Sequence, residues 1–302
     1  MNKTVRVIAG TAICAIGVGI FLYPNIREMQ TQSEVTAIIE DFGELYPKKD
    51  VASGNESDND SNTDEMPYAG LYEEMQAYNR TLYEGGQEIR DAFNYEESPV
   101  GFTNLEEDSY LIGYIEIPSI ECELPLFIGA NTENLARGAA VMGNTSMPIG
   151  GENTNCVIAA HRGYQGSAYF RNINQISAGD LIYITNPWGT LVYEAVSAEV
   201  VSPYETGPLM IEEGQDMVTL VSCHPYMLGG GPERYIVHCL RTDVELPDNG
   251  EPLAVSDPSA ATETETGMAP EEGLSAAEDL IRYILPPVFI VAALVLILKK
   301  NK

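Results

Sequence analysis

From Tyr110 to Leu240 the chain is broken into short apolar runs, and that spacing constrains the fold more than any other feature. The runs are Tyr110–Ile117, closed by Pro118, then Glu123–Ile128, Asn155–Ala160, Leu181–Thr185, Thr190–Val201, Asp216–Ser222 and Tyr235–Leu240. Most are too short for an ordinary helix and rich in Val, Ile, Leu and Tyr, which reads as strands. Several are apolar at nearly every position, as in strands buried on one or both faces. Many short strands with few long helices predict a mainly β domain closed into a barrel.

Polar segments bracket this region. Residues 48–66 are Ser, Asn, Asp, Glu and Gly with almost no apolar side chain, and 243–278 are rich in Pro, Thr, Glu and Ala. Such compositions bury too little to order themselves, so both read as disordered acidic linkers. The folded domain is then expected at 67–242. It opens with Leu71, Met75, Tyr78 and Leu82 at helical spacing, ended by Gly85–Gly86, and continues through an irregular stretch at about 88–108. Residues 27–47, with Met29, Ile38, Phe42 and Leu45, read as a helical stalk.

Both ends of the chain are apolar with basic flanks. Lys3 and Arg6 precede the uncharged stretch 7–26, which is long enough to span a bilayer. No A-x-A-like cleavage site follows it, so a retained anchor is expected rather than a cleaved signal. Arg282 precedes a second uncharged stretch, 283–298, followed by Lys299, Lys300 and Lys302. Snorkelling of the flanking cations extends that span, predicting a C-terminal transmembrane helix. Basic flanks at both ends place both termini in the cytoplasm and everything between them outside. The formal net charge of −29 argues against nucleic acid as a partner and otherwise denotes solubility.

The five cysteines, at 14, 122, 156, 223 and 239, form no C-x-x-C, which excludes a zinc knuckle and a thioredoxin-like motif. Cys122, Cys156 and Cys239 are expected as buried thiols, with a Cys122–Cys156 disulfide as the alternative. The three histidines can be weighed singly. His161 lies in Val157–Gly163 where a strand gives way to a loop, His224 directly follows Cys223, and His238 sits inside a strand. Cys223 ends its own strand ahead of Pro225, and Arg234 opens the next. A thiol attacks a carbonyl as thiolate, which a nearby imidazolium or guanidinium stabilises. Arginine never loses its proton, so Arg234 can donate to a developing oxyanion. Each residue also has a plain reading: a buried strand cysteine, a surface-loop histidine and a rim salt bridge.

Thr219-Leu220-Val221-Ser222-Cys223 resembles the T-L-x-T-C motif of the sortases, with Ser222 keeping the hydroxyl. Ala160-His161-Arg162 is similar to the stretch around that family's histidine, and Arg234 opens the following strand as the family's arginine does. Gly113–Pro118, Leu124–Leu126 and Gly150–Thr154 fit the same pattern, so the resemblance covers about residues 68–242. It implies an eight-stranded sortase barrel with short helices, and a cysteine transpeptidase with His161, Cys223 and Arg234 catalytic and Ser222 at the substrate. No metal or other cofactor is implied. The implied substrate is an L-P-x-T-G-like sorting signal on a surface protein or pilin. Its acyl group passes through a Cys223 thioester to an amine.

Two apolar ends, and Asp91-Ala92-Phe93 ahead of the barrel, resemble the class C, pilin-polymerising sortases. In those, a D-P-W or D-P-F lid precedes the barrel; here Ala92 stands where that motif has Pro. The resemblance thus implies pairing of Asp91 with Arg234 and covering of Cys223 by Phe93. An exposed Asp–Arg pair is worth only ~0.2–1 kcal/mol, and a fully buried Phe ~1.5–3 kcal/mol. Closure is therefore expected to rest mainly on Phe93. The alternatives are a housekeeping sortase that joins proteins to the cell wall, a cysteine peptidase using water as acceptor, and a non-catalytic surface module.

Overall fold

A computed structural model describes residues 3–46, 66–94, 96, 100–103, 105, 110–164, 167–227 and 230–244, with isolated positions 288 and 291. The expected linkers, apart from Met66, Asp243 and Val244, and the expected C-terminal span, apart from Val288 and Val291, lie outside these residues. Contacts divide the chain into two units: residues 34–164 with 168–270, and residues 1–33 with 165–167 and 271–302.

Three helices precede or interrupt the strands: α1 (Lys3–Leu45), α2 (Ala69–Gly85) and α3 (Thr132–Arg137). The strands are β1 (Leu111–Ile117), β2 (Cys122–Ile128), β3 (Ala139–Val141), β4 (Thr154–Ala159), β5 (Arg162–Tyr164), β6 (Ser167–Tyr169), β7 (Leu181–Asn186), β8 (Gly189–Val201), β9 (Asp216–His224) and β10 (Glu233–Arg241). Eight of them close a barrel in the order β1-β2-β3-β4-β9-β10-β8-β7, and β5 with β6 forms a separate two-stranded sheet. All seven runs read from the sequence are barrel strands. The eighth, β3, is only three residues of Ala-Ala-Val. It pairs parallel with β2 and antiparallel with β4, so tertiary pairing creates it, not local propensity.

The anchor expected at 7–26 and the stalk expected at 27–47 share one continuous helix, α1, as far as Leu45. Among the described residues, no helix is long and apolar enough to cross a membrane. Helix α2 forms at the predicted place, burying Leu71, Met75 and Leu82. Gly86 ends it with a φ of 85°, a left-handed backbone open to glycine at no steric cost.

The near-continuous apolar runs follow from burial on both strand faces. Along β4, Cys156 and Ile158 enter one core cluster while Val157 and Ala159 enter a second. Along β9, Val218 and Leu220 face the first and Val221 the second; along β10, Tyr235 and Val237 face the first and Ile236 the second. This is the period-2 alternation of a strand with no solvent face. The second cluster is closed over by Ile89 and Ala92, with Phe93 partly buried against it. The irregular stretch ahead of the barrel therefore completes an outer core layer.

Candidate active site

Strand pairing gathers the chemistry at one end of the barrel. β9 and β10 run antiparallel with Cys223 opposite Arg234. β4 runs parallel to β9 with Ala159 opposite Val221, and the Ala160 N–H donates to Val221 at 3.2 Å. His161, the next residue, reaches the barrel end that holds Cys223. β9 continues to His224 and β10 begins at Glu233, so Cys223 and Arg234 sit within the ladder and inherit its rigidity.

Cys223 is buried, at 6% exposure. Burial pushes its thiol above the ordinary value, while the Arg234 guanidinium, the Gly231 N–H and Arg162 pull the other way. Burial also holds the His161 imidazole below its ordinary value. At neutral pH the resting site therefore holds a thiol and a neutral imidazole, poised but not charged. The described end of the loop between β9 and β10 packs tightly against the residues that follow Cys223. A Cβ on Gly231 would lie 2.0 Å from the His224 carbonyl oxygen and 2.6 Å from that of Pro225, so no side chain fits there.

Asp91 and Arg234 are joined by two parallel hydrogen bonds, Nε to Oδ1 at 2.5 Å and Nη2 to Oδ2 at 2.7 Å. Nη1 donates to the Gly231 and Glu233 carbonyls at 2.9 and 2.7 Å. All three guanidinium nitrogens are thus engaged. The Phe93 ring lies over it at 5.0 Å and packs against His161, with ring centroids 5.8 Å apart. The expected pairing is present, but its surroundings differ from the expectation: both side chains are only 5% exposed. Breaking such a pair by removing one partner costs about 3–5 kcal/mol, well above the value for an exposed pair. Asp91, as much as Phe93, holds the segment down.

Side chains fasten the segment at both ends as well. Gln87 donates to the Asn144 carbonyl at 3.0 Å and accepts from Ile211 N–H at 2.8 Å. Glu96 accepts from the hydroxyl and N–H of Thr132 at 2.6 and 3.2 Å. Asp91→Ala should accordingly raise the rate of Cys223 alkylation at least as much as Phe93→Ala does, about 10-fold or more. In either variant the pH midpoint of alkylation should fall, because lost burial lets the thiol ionise more readily. Parent-like rates in both would mean that this segment does not guard the thiol.

The other residues singled out from sequence are placed as follows. Ser222 is fully buried and its hydroxyl donates to the Ala160 carbonyl at 2.8 Å, tying β9 to β4 rather than facing outward. His224 sits 3.2 Å from Arg162 Nη1 through its Nδ1. His238 is a satisfied strand histidine, 3.1 Å from Glu199 and 3.5 Å from Thr219 Oγ1. All five cysteines are free thiols, so Cys122 and Cys156 are not joined. Burial pushes Cys122 up to about 12, and Cys156 and Cys239 are raised by the same cause. Gln87, Glu96, Arg162 and Gly231 were not singled out from sequence.

A family model described as the sortase domain matches residues 115–242. Sortase D of Bacillus subtilis (strain 168) is 28% identical over 127 residues, which span 42% of this chain and 61% of that relative's length. Among solved structures, sortase C1 of GBS Pilus Island 1 is 28% identical with a TM-score of 0.57, covering 70% of this chain and 93% of its own. Clostridium perfringens sortase C, solved with the C-terminal cell wall sorting motif, is 30% identical with a TM-score of 0.55, covering 69% of this chain and 100% of its own.

Proposed function

Because this chain belongs to the sortase family of cysteine transpeptidases, we propose that it cleaves an L-P-x-T-G-like sorting signal and joins it to a pilin lysine, building a pilus. The observation that carries this reading is Cys223 directly opposite Arg234, with the Asp91 carboxylate seated in the guanidinium fork. A fork that holds a carboxylate's two oxygens while resting is shaped to hold a substrate oxyanion once Asp91 leaves.

The reaction runs in two acyl transfers. Cys223 first gives its thiol proton to His161; Sγ, now thiolate, adds to the carbonyl carbon of the scissile Thr–Gly bond, and the oxyanion takes the fork vacated by Asp91. The C–N bond breaks, His161 hands its proton to the departing glycine amine, and a thioester remains on Cys223. An incoming lysine amine adds to the thioester, His161 takes its proton, and the C–S bond breaks to release thiolate and a new amide. Burial of Cys223 and His161 keeps the pair uncharged until the segment over them moves. Unproductive hydrolysis and oxidation are then limited to the open state.

The reaction is tested by incubating the full chain with a sorting-signal peptide and a lysine-bearing pilin domain, then weighing the products. The expected product is a peptide–pilin conjugate linked through the lysine amine; hydrolysed peptide alone would favour a peptidase.

Residues 7–26 and 283–298 anchor the protein in this reading, with both termini cytoplasmic and the barrel outside. Their uncharged length and basic flanks support it. A reporter fused after Lys302 should be cytoplasmic, and protease added to whole cells should cut near Asp58; a reporter found outside would overturn this topology.

A further inference from the structure

Arg162 follows His161 directly and takes no part in the reaction steps. It is nevertheless buried, at 4% exposure, and its guanidinium reaches across the site. Nη1 donates to the Cys223 carbonyl at 3.4 Å and to His224 Nδ1 at 3.2 Å. Nε donates to the Arg171 carbonyl at 3.3 Å, and Cζ lies 5.5 Å from the Tyr235 ring centre. Because arginine always keeps its protons, the contact fixes His224 Nδ1 as an acceptor.

The backbone ladder between β4 and β9 stops just short of the chemistry. Its last pair is Ala159 with Val221, followed by the Ala160 N–H to Val221 carbonyl bond. Beyond that point two side-chain links span the gap, Ser222 Oγ to the Ala160 carbonyl and Arg162 Nη1 to the Cys223 carbonyl. The second is anchored on the residue next to His161 and ends on the nucleophile's own peptide. On the reaction proposed above, we infer that Arg162 is a positioning residue that fixes His161 against Cys223 and keeps a cation beside the sulfur. Its charge pulls the thiol downward, in the direction opposite to burial.

Arg162→Met and Arg162→Lys in the full chain test this against a sorting-signal peptide. Arg162→Met should lower kcat by about 10- to 100-fold, the cost of a small misplacement, with KM changed by less than about twofold. Its Cys223 iodoacetamide alkylation should shift to higher pH, since one cation near the sulfur is gone. Arg162→Lys should restore the alkylation midpoint but not kcat, because an ammonium does not reproduce the fork. A merely structural role would lower the folded fraction and leave the folded molecules' midpoint unmoved, which would overturn the inference. So would a kcat within about twofold of the parent in Arg162→Met or, should that variant not fold, in Arg162→Lys. If the parent itself leaves the peptide intact, the substrate reading falls, and the alkylation midpoints alone decide for or against Arg162.

Discussion

Cys223→Ala should abolish acyl transfer: peptide cleavage is expected to fall by about 10⁴-fold or more, because the proposed nucleophile is removed. No thioacyl adduct should form. The fold should survive, because the change removes one sulfur from a strand position paired with Arg234 on β10. No other cysteine of the barrel can substitute. Cys122, Cys156 and Cys239 are buried and their thiols are raised by that burial. Steady-state cleavage followed by mass spectrometry measures the effect. Turnover within about tenfold of the parent would mean that another group attacks the substrate.

Arg234→Lys should lower kcat/KM by about 10²–10³-fold, the usual effect of losing an oxyanion donor. The same change should speed alkylation of Cys223. Lysine cannot make the two parallel bonds to Asp91, nor keep both carbonyl contacts that Nη1 makes to Gly231 and Glu233. Turnover and thiol exposure therefore move in opposite directions. A general unfolding would also raise labelling, so cooperative thermal melting of the variant is measured alongside. A Lys variant with parent turnover would assign Arg234 to holding the segment over the site and not to the chemistry.

The barrel was legible because most of its strands are buried on both faces, and those left apolar runs in the sequence. β3 left none: three small residues carry no periodicity and form a strand only because β2 and β4 flank them. His161, Cys223 and Arg234 were singled out through motif resemblance, and strand register sets Cys223 opposite Arg234 at the barrel end that His161 reaches. The depth of the Asp91–Arg234 pair was not legible. Its burial depends on how Ile89 and Ala92 pack onto the outer core, a long-range fact with no local signature. Arg162 was hidden for a similar reason. Its partners, Arg171, Cys223, His224 and Tyr235, belong to other parts of the barrel and converge only on folding. Ser222 shows the converse. Its hydroxyl suggested substrate contact, but strand pairing aims it at the Ala160 carbonyl.

The central claim is a thioester on Cys223, formed with a sorting signal after Asp91 and Phe93 move away. Its most direct test is the intact mass of the full chain quenched in acid during turnover of a sorting-signal peptide, followed by peptide mapping. The account predicts a mass increase equal to the acyl portion of the peptide, mapped to Cys223. It should disappear when a lysine-bearing acceptor is added and accumulate faster in Asp91→Ala. An adduct on any other residue, or turnover with no adduct in parent and Asp91→Ala alike, would contradict it.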